Sequence, residues 1–395
     1  MANSRIFYAC QGVAITQMGD AAPGTGNMVH GLQSVGMTTN FNLEQAFELG
    51  QIEIYENIEG TPDVEVTLEK VLDGYPLIYH LATRDALAGT MAGSGLAGRS
   101  KVQADIRLGI FPEENNAISL SDANADVEAY CSGMFVQSIS YTMPVDGSAT
   151  ESVTLVGNNK SWLTGANALM SAAAVNNFDG TDSPLALGAN NHLAAVPGTG
   201  APSGGVQQRE DVLFSGSIMP RSIQGVRNNT NYANNINTAT QAPYAHIQNI
   251  SVSTDFGRED VLELGRKTPF TRPATFPIEV SCEIEAITSS GDFVFAYEFG
   301  DTDLWNTTAS GNNTPDETIF IYLRGGYGFD LGSANRLASV TYGGGDATGG
   351  NATCTYSYTN FNVLDVQDRA EGNYIGTEFL ANKNGYDGAG LPFPL

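Results

Sequence analysis

The sequence predicts a mainly β protein made of two tandem copies of one β-sandwich or barrel fold, with short helices and long loops. Three observations lead to this prediction: strand-like alternation dominates, helical patterns are few, and the chain repeats itself over a domain-sized period. At 395 residues, the chain is long enough for two or three domains of about 150 residues each, and each of these can bury its own core.

Several segments alternate between apolar and polar residues with a period of two. Residues 64–69, 102–108 and 278–285 follow this pattern, and many of their polar positions carry Glu, Asp or Thr. Each segment therefore predicts a strand with one face in the core and the other in water. Thr83 precedes a segment that fits a short helix, for which it is a suitable N-cap.

An internal repeat accounts for the length. Several residues recur at a constant offset of 215 positions, with a slip of one residue after Pro62 and Pro277. The pairs are Gln33 and Gln248, Thr39 and Thr254, Phe41 and Phe256, Glu44 and Glu259, Glu48 and Glu263, Leu49 and Leu264, Gly50 and Gly265, Pro62 and Pro277, Ile106 and Ile321, Leu108 and Leu323, and Tyr141 and Tyr356. This period is far longer than a solenoid unit and matches a whole domain.

The repeat sets the expected domain boundaries. We expect a first β domain at 1–165, a loop and linker rich in Ala, Gly, Asn and Pro at 166–205, and a second β domain with a C-terminal arm at 206–395.

Composition excludes several functions. With 43 acidic residues against 18 Lys and Arg, the net charge of −25 opposes binding to nucleic-acid phosphate or to anionic lipid. No apolar run reaches the length of about 18 residues that a membrane span needs, and the N-terminus lacks a signal-peptide pattern. The four cysteines are widely spaced, which predicts buried thiols without disulfides, made in a reducing compartment.

The chemical motifs are weak. A GxGxxG match at 93–98 precedes a strand instead of following one, and the acidic loop at 301–303 departs from the EF-hand pattern, so a flexible loop and a solvated insertion are the better interpretations. The four histidines have no metal-binding spacing, and no GxSxG motif occurs. We therefore expect no catalytic residues, no metal and no cofactor, and hence no enzyme.

Acidic residues are concentrated in one part of the first copy. Between Phe41 and Gly74 there are nine acids and a single Lys, Lys70. One sheet face must therefore be strongly anionic. It is either a solvated surface that keeps the protein soluble or a surface with a specific role.

Two segments resemble major tail tube proteins of tailed bacteriophages. The first is residues 47–57 (FELGQIEIYEN), continuing to Gly74, and the second is residues 137–162, with PVDG at 144–147 and VGNNK at 156–160. The resemblance implies subunits that join their sheets into rings around a channel, with the rings stacked into a tube. Two copies per chain imply a trimeric ring with pseudo-sixfold symmetry and no free strand edges.

The resemblance also implies partners and a location. The main partner is the protein itself, followed by other tail proteins such as the tape measure, terminator or sheath, in a virion tail assembled in the host cytoplasm. DNA would pass without specific binding, because an anionic wall offers phosphate no counter-charge. The candidate lumen-facing acids are Glu65, Glu69, Glu279 and Glu283. The termini at 1–20 and 382–395 are expected to be extended arms, the second of them for ring stacking. The loops at 74–99 and 292–317 are expected either to contact neighbouring rings or to decorate the outside.

Two other functions fit the sequence. A secreted carbohydrate-binding or adhesive β-sandwich would share the strand pattern, but the missing signal peptide argues against it. An enzyme acting on polysaccharide would need a pair of carboxylates about 5–10 Å apart, which a sequence cannot identify.

Overall fold

The structure is a computed structural model. It describes residues 6, 8–18, 27–50, 52–83, 95–111, 125–165, 168, 170, 206–213, 220, 223, 245–288, 316–323, 326–344 and 351–368. The expected linker at 166–205 lies outside these residues except at two positions, and the expected arm at 382–395 lies wholly outside them.

The described residues form eighteen strands and two short helices, which we divide into a first set (β1–β10) and a second set (β11–β18). The first set is β1 (Gln11–Gln17), β2 (Asn27–Met28), β3 (Leu32–Asn40), β4 (Leu43–Phe47), β5 (Ile54–Glu59), β6 (Asp63–Val71), β7 (Ala104–Ile110), β8 (Val127–Pro144), β9 (Thr150–Gly157) and β10 (Asn159–Thr164). The second set is β11 (Val212–Leu213), β12 (Ala245–Asp255), β13 (Glu279–Thr288), β14 (Phe320–Leu323), β15 (Tyr327–Asp330), β16 (Arg336–Gly343), β17 (Thr353–Phe361) and β18 (Asp365–Asp368). The helices are α1 (Ile78–Ala82) and α2 (Leu96–Arg99).

Eight strands form one continuous antiparallel sheet in the order β3-β6-β9-β8-β12-β13-β17-β16. The two sets meet where β8 pairs with β12. The N-terminal part of β8, an 18-residue strand, also pairs with β7 and β10, so β8 links this sheet to a second layer. We refer to the continuous sheet as the main sheet.

The strand order of the first set recurs in the second. In the main sheet, β3-β6-β9-β8 is matched by β12-β13-β17-β16, and in the second layer β1-β7-β8-β10 is matched by β11-β14-β15-β18. The principal difference is that β8 runs through both layers of the first set, whereas the second set divides this path between β15 and β16.

The core lies between the two layers. Val64, Val66 and Leu68 of β6 and Val280 and Cys282 of β13 have almost no exposed surface. They belong to one apolar cluster that spans both sets of strands. Burial of this alternating apolar face provides the main driving force for forming the two layers.

The prediction of a mainly β fold with short helices is confirmed. The four cysteines are all buried, and no disulfide joins them. Among the described residues, none of the helices has the length and apolar character needed to span a membrane. The domain boundaries remain a prediction.

Two sequence-based details are wrong, and a third lies outside the described residues. Residues 11–17 are not part of an extended arm, because they form β1, which pairs along its whole length with β7. Thr83 is the C-cap of α1, and the short helix expected to follow it lies outside the described residues. Tyr141 and Tyr356 are not equivalent, since Tyr141 lies in β8 and Tyr356 lies in β17, the counterpart of β9.

Candidate functional site

One face of the main sheet is lined mostly by small polar and acidic side chains. In each strand, alternation turns apolar residues toward the core and leaves the intervening residues on the opposite face. We call this opposite face the polar face. Its Ser, Thr and Asn residues are Ser34, Thr38, Asn40, Thr67, Ser138, Ser140, Thr142, Thr150, Ser152, Thr154, Asn249, Ser251, Ser253, Ser281, Ser339, Thr341, Thr353, Thr355, Ser357 and Thr359.

The polar face carries carboxylates in two separated bands. Its acids are Asp63, Glu65, Glu69, Asp255, Glu279, Glu283 and Glu285. One band lies on β6 and the other on β13 and the end of β12, with mainly Ser and Thr between them. The eight strands contain two Lys or Arg residues: Lys70 is buried on the core side, and Arg336 forms an ion pair with Asp316. The face therefore carries a net negative charge, concentrated in these two bands.

All four acids predicted from the sequence lie on this face and are exposed. Ser34 Oγ donates a hydrogen bond to Glu69 at 3.2 Å, and Ser357 Oγ contacts Glu283 at 3.5 Å. The pairing registers nevertheless change how the four acids correspond between the two sets.

Glu279 occupies the position of Asp63, because each lies one residue before a buried valine. These valines have equivalent partners, since Val64 lies opposite Thr39 and Val280 lies opposite Thr254. By the same register, Glu285 is the counterpart of Glu69.

The internal junction is the pairing of β8 with β12, where the two sets of strands meet. Residues 138–144 face residues 249–255 without a register shift. On the core side, Tyr141 lies opposite Val252, and neither has exposed surface. The backbone N–H of Phe256 donates to the Gln137 carbonyl at 2.8 Å, and the Phe256 ring is fully buried. The junction is thus packed like the interior of a single sheet.

Arg258 holds the internal junction from the side. Its guanidinium donates to the backbone carbonyls of Val136, Ser100 and Arg272 at 2.6–2.8 Å, and it lies over the Phe135 ring at 4.7 Å. Burial lowers the pKa of Arg258 to about 10, so the side chain is still cationic at neutral pH.

The outer edges of the main sheet, β3 and β16, are open. No strand among the described residues pairs with the outer side of either one. Tyr342 on β16 is 66% exposed, and Phe41, just after β3, is 62% exposed. An open edge of this length offers unpaired N–H and C=O groups to another chain.

Two arms lie outside the strands of the main sheet. The first arm is residues 41–50 and 52–61, built on the β4–β5 hairpin, and the second arm is residues 257–276. Each ends in an exposed Leu-Gly pair, Leu49-Gly50 and Leu264-Gly265, in which the glycine has a positive φ of 97° and 88° respectively. This backbone conformation favours glycine, so the two arms share their tip geometry.

The arms expose apolar side chains that sequence reasoning did not assign to a contact surface. They are Phe41, Leu43, Phe47, Leu49, Ile52, Ile54, Tyr55 and Ile58 on the first arm and Val261, Leu262, Leu264, Phe270 and Phe276 on the second. Of the loops that the sequence suggested for this role, 292–317 lies outside the described residues except at 316 and 317. The loop at 74–99 is described at 74–83 and 95–99, where Leu77, α1 and Leu96 are buried and are therefore not a contact surface.

A buried polar cluster anchors α1 to the main sheet. Glu151 of β9 accepts hydrogen bonds from the backbone N–H groups of Ile78 and Tyr79, at 2.7 and 3.1 Å, and from the Tyr141 hydroxyl at 3.2 Å. Burial raises the pKa of Glu151. Lys70 donates to the Pro76 carbonyl at 2.9 Å, so the cluster also fixes the turn before α1.

Asp73 completes this cluster. Its carboxylate lies 3.3 Å from Lys70 Nζ and 2.5 Å from His30 Nδ1. Burial raises the pKa of Asp73, but the Lys70 ammonium and the bonds from His30 and the Tyr75 N–H outweigh burial and lower it to about 2. Sequence parity could have found Lys70 and Glu151, because both occupy the apolar phase of their strands.

The described residues contain no group of three His, Cys, Asp or Glu side chains arranged to hold a metal. No protein-family model matches the sequence, and no curated protein matches it.

Among solved structures, 42% of this chain matches the tube-terminating cap of the anti-feeding prophage at 14% identity, covering 95% of that chain with a TM-score of 0.28. The same share of this chain matches the sheath/tube terminator of an extracellular contractile injection system in the extended state, at 13% identity over 100% of that chain with a TM-score of 0.29. The sheath–tube complex of the same kind of system gives 12% identity and a TM-score of 0.28, over 95% of that chain. Similarity at this level carries no functional conclusion.

Proposed function

We propose that this protein is a structural, non-enzymatic subunit of a phage-like tail tube. The chains join through their open sheet edges into a ring, and the polar face lines the channel of that ring. One observation carries the proposal: the eight-stranded main sheet combines an anionic Ser/Thr face with two outer edges that are open among the described residues.

The open edges favour assembly with further copies of the chain. Each chain has a β3 edge and a β16 edge. The β16 edge of one chain and the β3 edge of the next form a head-to-tail interface, and such interfaces close into a ring when the rotation between neighbours permits. Closure removes every free edge, as it does in barrels. Three chains would place six repeats around the channel. Since closed sheets of roughly 16–18 strands already leave an aqueous channel, three eight-stranded sheets leave a wide one.

The charge of the polar face suits a channel for DNA. Each Lys or Arg that contacts phosphate gains affinity by releasing counterions, so a basic wall would hold DNA in place. Here the two acidic bands are four strands apart, at β6 and β13, and ring closure would repeat that spacing around the wall. The strands between them offer mostly hydroxyl groups. DNA would pass such a wall without being retained.

The two arms supply a second contact surface. Their exposed apolar side chains lie outside the main sheet, where they are available to a ring above or below. Under this proposal the protein belongs to a virion tail assembled in the host cytoplasm, with other tail components, such as a terminator, sheath or tape measure, as further partners.

Negative-stain electron microscopy of the purified full chain tests the proposal. Rings or hollow tubes are the expected result. Monodisperse monomers over a range of protein and salt concentrations would contradict it and would favour the carbohydrate-binding or adhesive β-sandwich. A glycan-binding screen on the same preparation would then be the next measurement.

A further inference from the structure

We infer that β16 of one chain pairs with β3 of a second copy in the register of the internal junction, with Tyr342 opposite Met37 and Thr341 opposite Thr38. This inference rests on the proposed self-assembly and adds its partner strands and their alignment. It follows from the recurrence of strand order, because β8 is the counterpart of β16 and β12 is the counterpart of β3. The β8–β12 pairing is thus an internal example of the missing contact.

The counterparts of β3 follow from its pairing with the next strand. Thr39 lies opposite Val64 in the first set, and Thr254 lies opposite Val280 in the second. Both strands also have a register shift at a glutamine, Gln33 in β3 and Gln248 in β12. A β-bulge fixes local register, so its recurrence leaves one alignment of β3 on β12.

The counterparts of β16 follow in the same way. Ile139 of β8 pairs with Val153, and Val340 of β16 pairs with Tyr356, the residue of β17 that corresponds to Val153. The register shift in β8 falls at residue 137, and the shift in β16 falls at residue 338, two positions before the matched pair in each case. Tyr141 therefore corresponds to Tyr342.

The residue pairs of the internal junction give the pairs expected between the outer edges. Tyr141 lies opposite Val252, and Ser140 lies opposite Ser253. Replacing each residue by its counterpart gives Tyr342 opposite Met37 and Thr341 opposite Thr38. The second pair lies on the polar face, so this register keeps that face continuous across the boundary between chains.

Exposure of the apolar residues supports the same pairing. Tyr141 is fully buried and its counterpart Tyr342 is 66% exposed, while Phe256 is fully buried and its counterpart Phe41 is 62% exposed. Tyr342 lies at the β16 edge and Phe41 lies at the β3 edge, so joining the two edges would cover both side chains. A second copy of this chain is thus the occupant that matches both surfaces.

The outer contact lacks one element of the internal junction. Arg258, which donates to three carbonyls, corresponds by the repeat to Leu43, a hydrocarbon side chain that is 64% exposed. The contact between chains therefore forms with the same register but fewer hydrogen bonds. It should open before the internal junction does.

A cysteine cross-linking experiment on the full chain tests the register. The test variant carries Thr38→Cys and Thr341→Cys, and the matched control carries Thr38→Cys and Ser339→Cys. All three positions are exposed and lie on the same face. The test pair is directly opposite in the inferred register, within the reach of a disulfide, whereas the control pair is displaced by two residues, beyond about 7 Å between Cα atoms.

After mild oxidation of assembled protein, the test variant should form covalent oligomers on a non-reducing gel, ending at the closed ring, while the control stays largely monomeric. Electron microscopy of the reduced variants shows whether rings form, independently of the register in which the strands pair. Rings that cross-link through the control pair, or through neither pair, would overturn the register and leave the tube proposal standing. Absence of rings in wild type and variants alike would overturn both.

Discussion

The main sheet has an internal junction, where β8 pairs with β12, and two outer edges, β3 and β16. The edge strands β16 and β3 correspond to the junction strands β8 and β12 in strand order, in register and in the positions of their β-bulges. They differ in how well they are covered. At the internal junction, Tyr141 and Phe256 are fully buried, whereas Tyr342 and Phe41 at the outer edges are mostly exposed. A covalent connection gives the internal pair a high effective concentration, while the outer pair must wait for a second chain. The same contact thus belongs to folding in one place and to assembly in the other.

The largest effect should come from a charge placed at equivalent positions of the internal junction and the open edge. Val252→Asp puts a carboxylate in the fully buried internal junction and should lower the free energy of unfolding by at least about 3 kcal/mol. Met37→Asp places the same group at the open edge, on a half-buried position that packs against the core cluster, so it should lower the free energy of unfolding less than Val252→Asp does. It should also abolish rings.

Urea unfolding and negative-stain microscopy measure the two effects of these substitutions. Equal destabilisation by both would mean that β3 is not an open edge.

Removal of the Arg258 side chain should have the next largest effect. Arg258→Ala loses three hydrogen bonds from a charged donor to backbone carbonyls, which should cost about 2–3 kcal/mol of unfolding free energy. The control, Leu43→Ala, changes the equivalent exposed position and should stay within about 0.5 kcal/mol. Thermal unfolding of both variants provides the measurement, and a similar loss in the two would contradict the proposed difference between the junctions.

Protonation of Asp73 in the buried polar cluster should lower the free energy of unfolding at acidic pH. The pKa of Asp73 is lowered from 3.8 to about 2, so its ionised form stabilises the fold at pH values above about 4. This contribution, about 2 kcal/mol, should be lost as the pH falls from about 4 to 2.

Unfolding free energies measured from pH 6 to pH 2 check this expectation, with Asp73→Asn as the control that lacks the titrating group. The difference between wild type and variant should shrink across that interval, and a constant difference would contradict the assignment.

The smallest effect on folding should come from the polar face. Glu65→Lys and Glu283→Lys replace exposed side chains and should change the unfolding free energy by less than about 0.5 kcal/mol. If the face lines the channel, assembled tubes of the double variant should retain duplex DNA at low salt and release it as salt rises. A filter-retention assay over a salt series measures this. The control is the double variant Glu48→Lys and Glu263→Lys, which places the same charges on the exposed arms.

Much of the fold could be predicted because it is local. Alternation at 64–69 and 278–285 fixes two strands and their buried sides, and both are observed as β6 and β13. Alternation also carries the exposure of Glu65 and Glu283, since parity alone decides the face. The buried Lys70 and Glu151 follow the same rule, although their charge draws attention away from it.

What the sequence could not provide is long-range pairing. The contact of β8 with β12 joins segments that share no local pattern, and only the three-dimensional register shows it. The repeat misled at Tyr141 and Tyr356, because the connections between equivalent strands differ in length and the constant offset fails at β16 and β17. The arms were missed as a contact surface because the sequence pattern does not show that, among the described residues, β4 and β5 pair only with each other and leave their apolar side chains exposed.

A cryo-electron microscopy map of the assembled protein is the most direct test of the proposed ring. We expect a closed ring in which β16 of each chain continues into β3 of the next, with Tyr342 opposite Met37 and with Glu65 and Glu283 facing the channel. A ring whose polar face points outward, or in which the edges β3 and β16 remain unpaired, would contradict it.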